Sequence, residues 1–409
     1  MTPRILAVFG TRPELVKLAP LFAELRRAGL APRLVSTAQH RGLLDDALAA
    51  FGVRPHLDLD LMREGQRPAE VLARLRRRLP DVLRRERPDL VLVQGDTASA
   101  CAAALCAREL GIPVAHVEAG LRSGDLRNPW PEEGQRIRID RAASMLFAPT
   151  RRAKRNLLRE RLKGEVFVTG NTGVDALKAR LRRPLPGSAL LRRLPRGARL
   201  LLATLHRRES FGRPLAGMLR ALVGLAERRA DLHVVFPVHP NPAVRAAARA
   251  LRHPRVHATP PLPYPEFLAL LRRSDLLLTD SGGLQEEAPV LRVPTLVARK
   301  VTERPELLES GGGLLVGTDP ARIARAVGRI LDDDALRRRM RRAGSPFGDG
   351  RAARRIARFL RWRFGLGSRP AEWTGGVRTA CGRRRARAPS ARETPRARAR
   401  APRGARGAG

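Results

Sequence analysis

Short apolar runs, each followed by a polar cluster, recur along most of this chain, and that recurrence restricts the fold more than any other feature. "RILAVFG", "PRLVST", "PDLVLVQGD", "IPVAHVEAG", "ASMLFAPT" and "EVFVTG" read as strands, each trailed by amphipathic helical sequence. Nearly continuous apolar strands alternating with helices are the pattern of a parallel sheet covered on both faces. The rhythm lapses in the Pro-, Gly- and Arg-rich segment "RRPLPGSALLRRLPRGA" that ends at Ala198. It then restarts with "RLLLATLH", "DLHVVFPVH", "SDLLLTD", "VPTLVAR" and "GGLLVGT". An α/β chain of two Rossmann-like doubly wound domains facing a cleft follows. The N-terminal domain covers 1–170 and the C-terminal domain 171–350. In such sheets ligands lie outside the carboxyl ends of the strands.

With 409 residues the chain has enough length for two such cores. Aromatic residues make up only 4% of it, so the cores must be built from Leu, Val, Ala and Ile. The formal charge of +41 raises the question of nucleic acid. Its distribution argues against a dedicated surface. Residues 368–409 hold 12 arginines and 2 glutamates, a net +10, and the other +31 is scattered along helix faces such as "LARLRRRLPDVLRRERP". The segment 368–409 lacks the apolar periodicity needed to fold and reads as a disordered tail. Cys101, Cys106 and Cys381 have no metal-site or redox spacing. No apolar run is long enough for a membrane span, and "ILAVFG" is too short for a signal peptide, which points to the cytoplasm.

The polar clusters sit where a doubly wound sheet puts its ligand. "FGTRPE", "QGDTAS", "HVEAG", "TGNTG", "TLHRRES", "PVHPNP" and "TDSGG" each follow a predicted strand. In "GTRPE", Thr11 and Glu14 have capping-box spacing and Pro13 suits a first turn. Arg12 and Lys17 add two cations at that helix start, a setting for phosphate. GxGxxG is absent, so nothing indicates a nicotinamide cofactor. In "TDSGG", Ser281, Gly282 and Gly283 let a ligand approach the backbone, and Glu287 lies within reach of a ribose. His206 stands at a strand end beside Arg207 and Arg208, as a phosphate or leaving-group contact; His239 and Asn241 of "PVHPNP" suit a rigid turn equally well. Asp96, Glu118, Glu132 and Glu133 put acids at the same sheet edge, with helix capping as the plain alternative for Asp96. No His-rich ligand cluster indicates a metal.

Taken in order, "ILAVFGTRPE", "STAQHRGLLDDAL", "QGDTAS", "HVEAGLRSGD", "PWPEE", "VTGNTGVDAL", "TLHRRES", "VHPNP", "TDSGGLQEEAP", "TERPE" and "SPFGDGRAARRI" resemble the non-hydrolysing UDP-N-acetylglucosamine 2-epimerases. The resemblance covers residues 4–366. It implies a glycosyltransferase-B-like fold, a homodimer, and a C-terminal helix, 351–366, that completes the first domain. The implied activity is inversion at C2 between UDP-GlcNAc and UDP-ManNAc, through a 2-acetamidoglucal, without NAD or metal. Asp96, Glu118, Glu132 and His206 would be catalytic. Arg12, Lys17, Phe267, Ser281, Gly282, Gly283, Glu287 and Arg304 would bind the UDP-sugar. Many bacterial members take a second UDP-GlcNAc as activator through a Gln and an Arg; Gly42 and Gly65 stand at those positions here, so that contact set is expected to be missing. Gln135 and Lys300 also depart from the common pattern.

The same residues leave other readings open: a hydrolysing 2-epimerase, a 2-epimerase of a modified UDP-amino sugar, or a glycosyltransferase of the same fold. Outside enzymology, the basic tail leaves a nucleic-acid binder.

Overall fold

The computed structural model describes residues 2–375 apart from positions 40, 62, 64, 65 and 67. Gly65, Cys381 and the remainder of the predicted tail therefore lie outside the described residues. Thirteen strands form two parallel sheets. The first sheet contains β1 (Ile5–Phe9), β2 (Arg33–Ser36), β3 (Leu57–Asp58), β4 (Leu90–Gln94), β5 (Val114–Val117), β6 (Met145–Ala148) and β7 (Glu165–Val168). Its order is β3-β2-β1-β4-β5-β6-β7. The second contains β8 (Arg199–Thr204), β9 (Leu232–Pro237), β10 (Val256–Thr259), β11 (Leu276–Thr279), β12 (Thr295–Val297) and β13 (Gly313–Leu315), in the order β10-β9-β8-β11-β12-β13. In each sheet the order reverses beside the first strand, and the crevice at that reversal is the expected ligand position.

Every strand predicted from an apolar run is present. The two that sequence patterning misses, β3 and β10, are edge strands. One has two residues and the other reads Val-His-Ala-Thr, so neither carries the continuous apolar signal of a central strand. Side chains alternate across each sheet, so each has two cores. Val8, Val91 and Val93 pack on one face of the first sheet, and Ala7, Phe9 and Leu92 on the other. In the second sheet, Leu201, Ala203 and Val234 face one core, Leu200, Leu202 and Val235 the opposite one. Cys101 and Cys106 are buried on the small-residue helix Ala98–Glu109, consistent with packing. No helix among the described residues is long and apolar enough to cross a membrane.

The helix Ala352–Arg363 returns to the first sheet, where Ile356, Phe359 and Leu360 join the core of β1. Phe359 meets Phe147 edge-on at 5.2 Å between ring centres and Phe167 at 4.7 Å. The start of this helix is capped from outside. Asp175 accepts from the Ala352 and Ala353 amides at 3.1 and 2.9 Å, satisfying two donors that no preceding turn can use. Burial pushes the Asp175 carboxyl up to about 6.

Residues 369–373, part of the segment expected to be disordered, are held in place. Trp373 donates its backbone N–H to Val168 at 2.9 Å and is buried, and Glu372 pairs with Lys154 at 2.7 Å. Arg369 lies over Trp362 and pairs with Glu165 at 2.8 Å. One buried indole and two ion pairs hold residues 369–373 along β7, the otherwise open edge of the first sheet. Composition alone hides this, because only a few of the tail residues carry the contacts.

Loss of the Asp175 cap is expected to cost about 1–2 kcal/mol of stability. Urea unfolding of Asp175→Ala and Asp175→Asn checks this: the alanine variant should be the less stable, because asparagine keeps an acceptor. Equal stability of both variants with the parent would refute the role.

Candidate active site

The carboxyl ends of β1, β4 and β5 carry the polar groups of the first sheet. Gly10, closing β1, has no room for a side chain: a Cβ would lie 2.1 Å from Thr37 Oγ1 and 2.3 Å from Ser99 Oγ. The helix Arg12–Arg27 starts there, but not with the capping box that its spacing suggests. The Thr11 hydroxyl does not cap; it donates to Glu14 Oε2 at 2.8 Å. Glu14 also accepts from the Gly10 amide at 3.0 Å and from Thr97 Oγ1 at 2.8 Å. Glu14 is buried, so it draws in every donor nearby, and burial still pushes its carboxyl up to about 7. It thereby ties the turn after β1 to the turn after β4.

Asp96 is not a helix cap. Thr97 caps the following helix by accepting from the Ala100 amide at 3.0 Å. Asp96 instead binds Arg136, whose Nη2 and Nε lie 2.5 and 3.2 Å from Oδ2. Burial works against ionisation there, but the Arg136 charge and hydrogen bond prevail and hold Asp96 below the usual carboxylate range. Arg136 sits on the helix Glu132–Ala142 and also pairs with Glu133 at 2.5 Å.

The adjacent acids Glu132 and Glu133 have different jobs. Glu133 is fully engaged, accepting from Arg136 and from the Ser123 and Gly124 amides. Glu132 has a long contact to Arg207, 3.4 Å, and its Oε2 is buried with no partner among the described residues. Burial and the nearby Asp96 charge push Glu132 up, against the pull of Arg207.

Glu118 follows β5 with a backbone φ of +72°, a region that non-glycine residues rarely occupy. Its Oε2 is 2.5 Å from Lys17 Nζ and 3.0 Å from Gln94 Nε2, while Oε1 is 3.3 Å from Arg304 Nη2. Burial dominates, and with Glu286 alongside it lifts the Glu118 carboxyl above its ordinary value against the pull of Lys17 and Arg304.

The second sheet brings the complementary groups. Asp280, at the end of β11, accepts from the backbone amides of His206 and Arg207 at 2.8 and 2.9 Å. His206 Nδ1 lies 3.4 Å from its other oxygen, and the imidazole stacks on His239 at 5.1 Å. Surrounding protein, then Arg207 and Arg12, push His206 down to about 4, so it is neutral at pH 7. The influence of Arg12 on His206 and on Glu287 puts this exposed first-sheet cation beside second-sheet groups. His239 and Asn241 have the turn role considered for them: His239 accepts from the Asn241 amide, and Asn241 caps the helix Pro242–Ala248.

Ser281 precedes the helix Gly282–Glu287 and makes no capping bond with its hydroxyl. Gly282 is required by a guanidinium, since a Cβ there would meet Arg304 Nη1 at 2.6 Å. Gly283 faces open space. Glu287 accepts from Tyr264 at 3.0 Å; its Oε2 is buried without a partner among the described residues, and burial pushes the group up to about 7. Phe267 is half-buried against the core that contains Leu200 and Leu202.

Lys17 and Arg304, read from sequence as phosphate contacts, are paired with carboxylates in this structure. Lys17 reaches Glu286 at 2.9 Å as well as Glu118. Arg304 is 5% exposed and binds Glu286 at 2.6 Å, Glu303 at 2.5 Å and Glu118. The structure thus adds Gln94, Arg136, Arg207, Tyr264, Asp280, Glu286 and Glu303 to the site. Gln94, Arg207, Asp280, Glu286 and Glu303 lie inside quoted motifs, while Arg136, buried here, sits one helical turn after Glu132 with nothing in the sequence to distinguish it from the many exposed arginines.

Acids with separated proton affinities beside Arg12, Arg207 and a neutral imidazole suit proton transfer next to a departing anion. Among the described residues no group of three or more His, Cys, Asp or Glu side chains gathers as metal ligands would. A family model for UDP-N-acetylglucosamine 2-epimerase matches residues 23–361. The UDP-N-acetylglucosamine 2-epimerase of Bacillus subtilis is 42% identical over 379 residues, covering 91% of this chain and 99% of the relative. The fold superposes on the S. aureus MnaA–UDP structure with a TM-score of 0.86 at 38% identity, covering 91% of this chain and 100% of that one. A UDP-GlcNAc 2-epimerase from Neisseria meningitidis, bound to UDP-GlcNAc, gives a TM-score of 0.82 at 37% identity, over 87% and 99% of the two chains. Fold, site and similarity together place this chain in the UDP-N-acetylglucosamine 2-epimerase family.

Proposed function

We propose that the chain interconverts UDP-GlcNAc and UDP-ManNAc by the non-hydrolysing route, as a cytoplasmic homodimer that supplies ManNAc-type sugars for cell-surface polysaccharide. Residues 1–170 with the helix 351–366 form one lobe of the cleft, and residues 171–350 form the UDP-binding lobe. The hydrogen at C2 of the sugar is not beside a carbonyl, so it is not acidic enough for direct removal. As the bond from C1 to the UDP oxygen breaks, its electron pair leaves with UDP and C1 becomes oxocarbenium-like. A base takes the C2 proton, and that C–H pair becomes the C1=C2 double bond of 2-acetamidoglucal. The return path delivers a proton to the other face of C2 while UDP adds back to C1.

The observation that carries this reading is the division among the acids. Asp96, held anionic by Arg136, is suited to stabilise positive charge on the ring. Glu118 and Glu132, both raised above the ordinary carboxylate value, are suited to exchange protons. Arg12, Arg207, His206 and the Ser281 hydroxyl receive the diphosphate. The unpartnered Glu287 oxygen accepts from the ribose, with Phe267 on the neighbouring helix. Lys17 and Arg304 set Glu118 and Glu286, and meet the phosphates only if those pairs open.

Incubation with UDP-GlcNAc in deuterated water, followed by NMR, tests the reaction. Deuterium at C2 and the appearance of UDP-ManNAc are expected. Free ManNAc with UDP would mark a hydrolysing enzyme, and an inert UDP-GlcNAc with turnover of a modified UDP-amino sugar would mark the sister activity. Transfer to an acceptor with C2 unexchanged would mark a glycosyltransferase.

Asp96→Asn and Glu118→Gln are each expected to lower turnover by about 10²–10⁴-fold, while calorimetry still detects UDP binding. Near-normal turnover in both variants would overturn the roles assigned here, charge stabilisation by Asp96 and proton exchange by Glu118.

A further inference from the structure

His116, the third residue of β5, is fully buried and is not itself at the cleft. Its two ring nitrogens both face acceptors. Nε2 is 2.8 Å from the Gly95 carbonyl oxygen, and Nδ1 is 2.7 Å from Asp140 Oδ1. A carbonyl only accepts, so Nε2 carries a hydrogen. Whether Nδ1 also carries one depends on Asp140. The other oxygen of Asp140 accepts from the Gly120 amide at 3.1 Å and lies 2.7 Å from Arg122 Nη1. Arg122 is in turn tied to Glu160 at 2.7 Å. A guanidinium and an amide on one oxygen favour the carboxylate. Burial opposes ionisation of Asp140, but the charges and hydrogen bonds of His116 and Arg122 outweigh it and keep the group below its ordinary value. With the Gly95 carbonyl at Nε2 and Asp140 at Nδ1, one imidazole bridges two backbone turns.

We infer that His116 is a positioning residue which fixes the turn bearing Asp96 relative to the turn bearing Glu118. Gly95, whose carbonyl it holds, immediately precedes Asp96. Glu118 follows His116 by two residues, and Asp140 fixes Gly120 two residues further on. All three turn residues lie in the left-handed region, with φ of +71° at Gly95, +72° at Glu118 and +83° at Gly120. A side chain is excluded at Gly120, where a Cβ would come within 2.4 Å of the Ala153 carbonyl oxygen. Two backbone turns of unusual conformation, each carrying one acid, are thus fastened to the same buried imidazole.

This inference rests on the epimerase reading. In His116→Gln, kcat for C2 exchange should fall by about 10²-fold, the scale of a small misplacement of reacting groups, with KM and UDP affinity within about twofold. Asp140→Asn, which loosens the other end of the same imidazole, should show the same split between kcat and KM. Parental kcat in either folded variant overturns the inference. Failure of exchange by the parent protein, with UDP still bound, would instead remove the proposed reaction.

Discussion

The contact between Glu118 and Arg304 spans 186 positions of sequence and joins the two sheets at their ligand-facing edge. Around it, Lys17, Arg136, Arg299 and Arg304 meet Asp96, Glu118, Glu133, Glu286 and Glu303 in one buried cluster. The purpose of such a cluster is not net stability. Desolvation offsets most of the attraction within a buried pair, although deleting one partner costs about 3–5 kcal/mol. What it provides here is placement. The cluster holds five acids against four cations, so one acid lacks full compensation. Glu118 is raised despite touching two cations, because burial, with the nearby Glu286 charge, outweighs them.

Charge placement then divides the chemistry. Asp96 is held at short range by Arg136, which it shares with Glu133, and stays ionised. Glu132 sits one helical turn from the same arginine but contacts Arg207 only at 3.4 Å, and it is raised. His206 is neutral because burial, and then Arg207 and Arg12, disfavour its charged form, so it can offer an N–H to an anion without carrying a charge of its own. These differences arise from backbone turns at strand ends, and those turns are themselves fastened by buried polar groups: Glu14 between β1 and β4, and His116 with Asp140 between β4 and β5.

Much of this architecture is legible in the amino-acid sequence, for identifiable reasons. Central parallel strands are apolar on both faces, so all of them stand out; β3 and β10, at sheet edges, do not. Strand ends carry the ligand groups, so Asp96, Glu118, His206 and Ser281 can be picked by position. Partners are harder to read. Thr11 and Glu14 have capping-box spacing, yet burial of Glu14 diverts the Thr11 hydroxyl from the cap. Glu132 and Glu133 are neighbours of one type, and only the tertiary contacts of Glu133 tell them apart. Arg136 and Arg304 are two arginines in a chain crowded with them. Trp373 anchors a segment whose composition reads as unstructured. In each case the missing information is a long-range contact, which local pattern does not encode.

The central claim is that the second sheet, through Arg304, tunes an acid of the first. A double-mutant cycle between Glu118→Gln and Arg304→Gln, read as the rate of deuterium entry at C2 with substrate saturating, tests it most directly. Groups that act as a unit are non-additive, so the double variant should be barely slower than the slower single variant. Fully additive losses, with each substitution acting alone, would contradict the account.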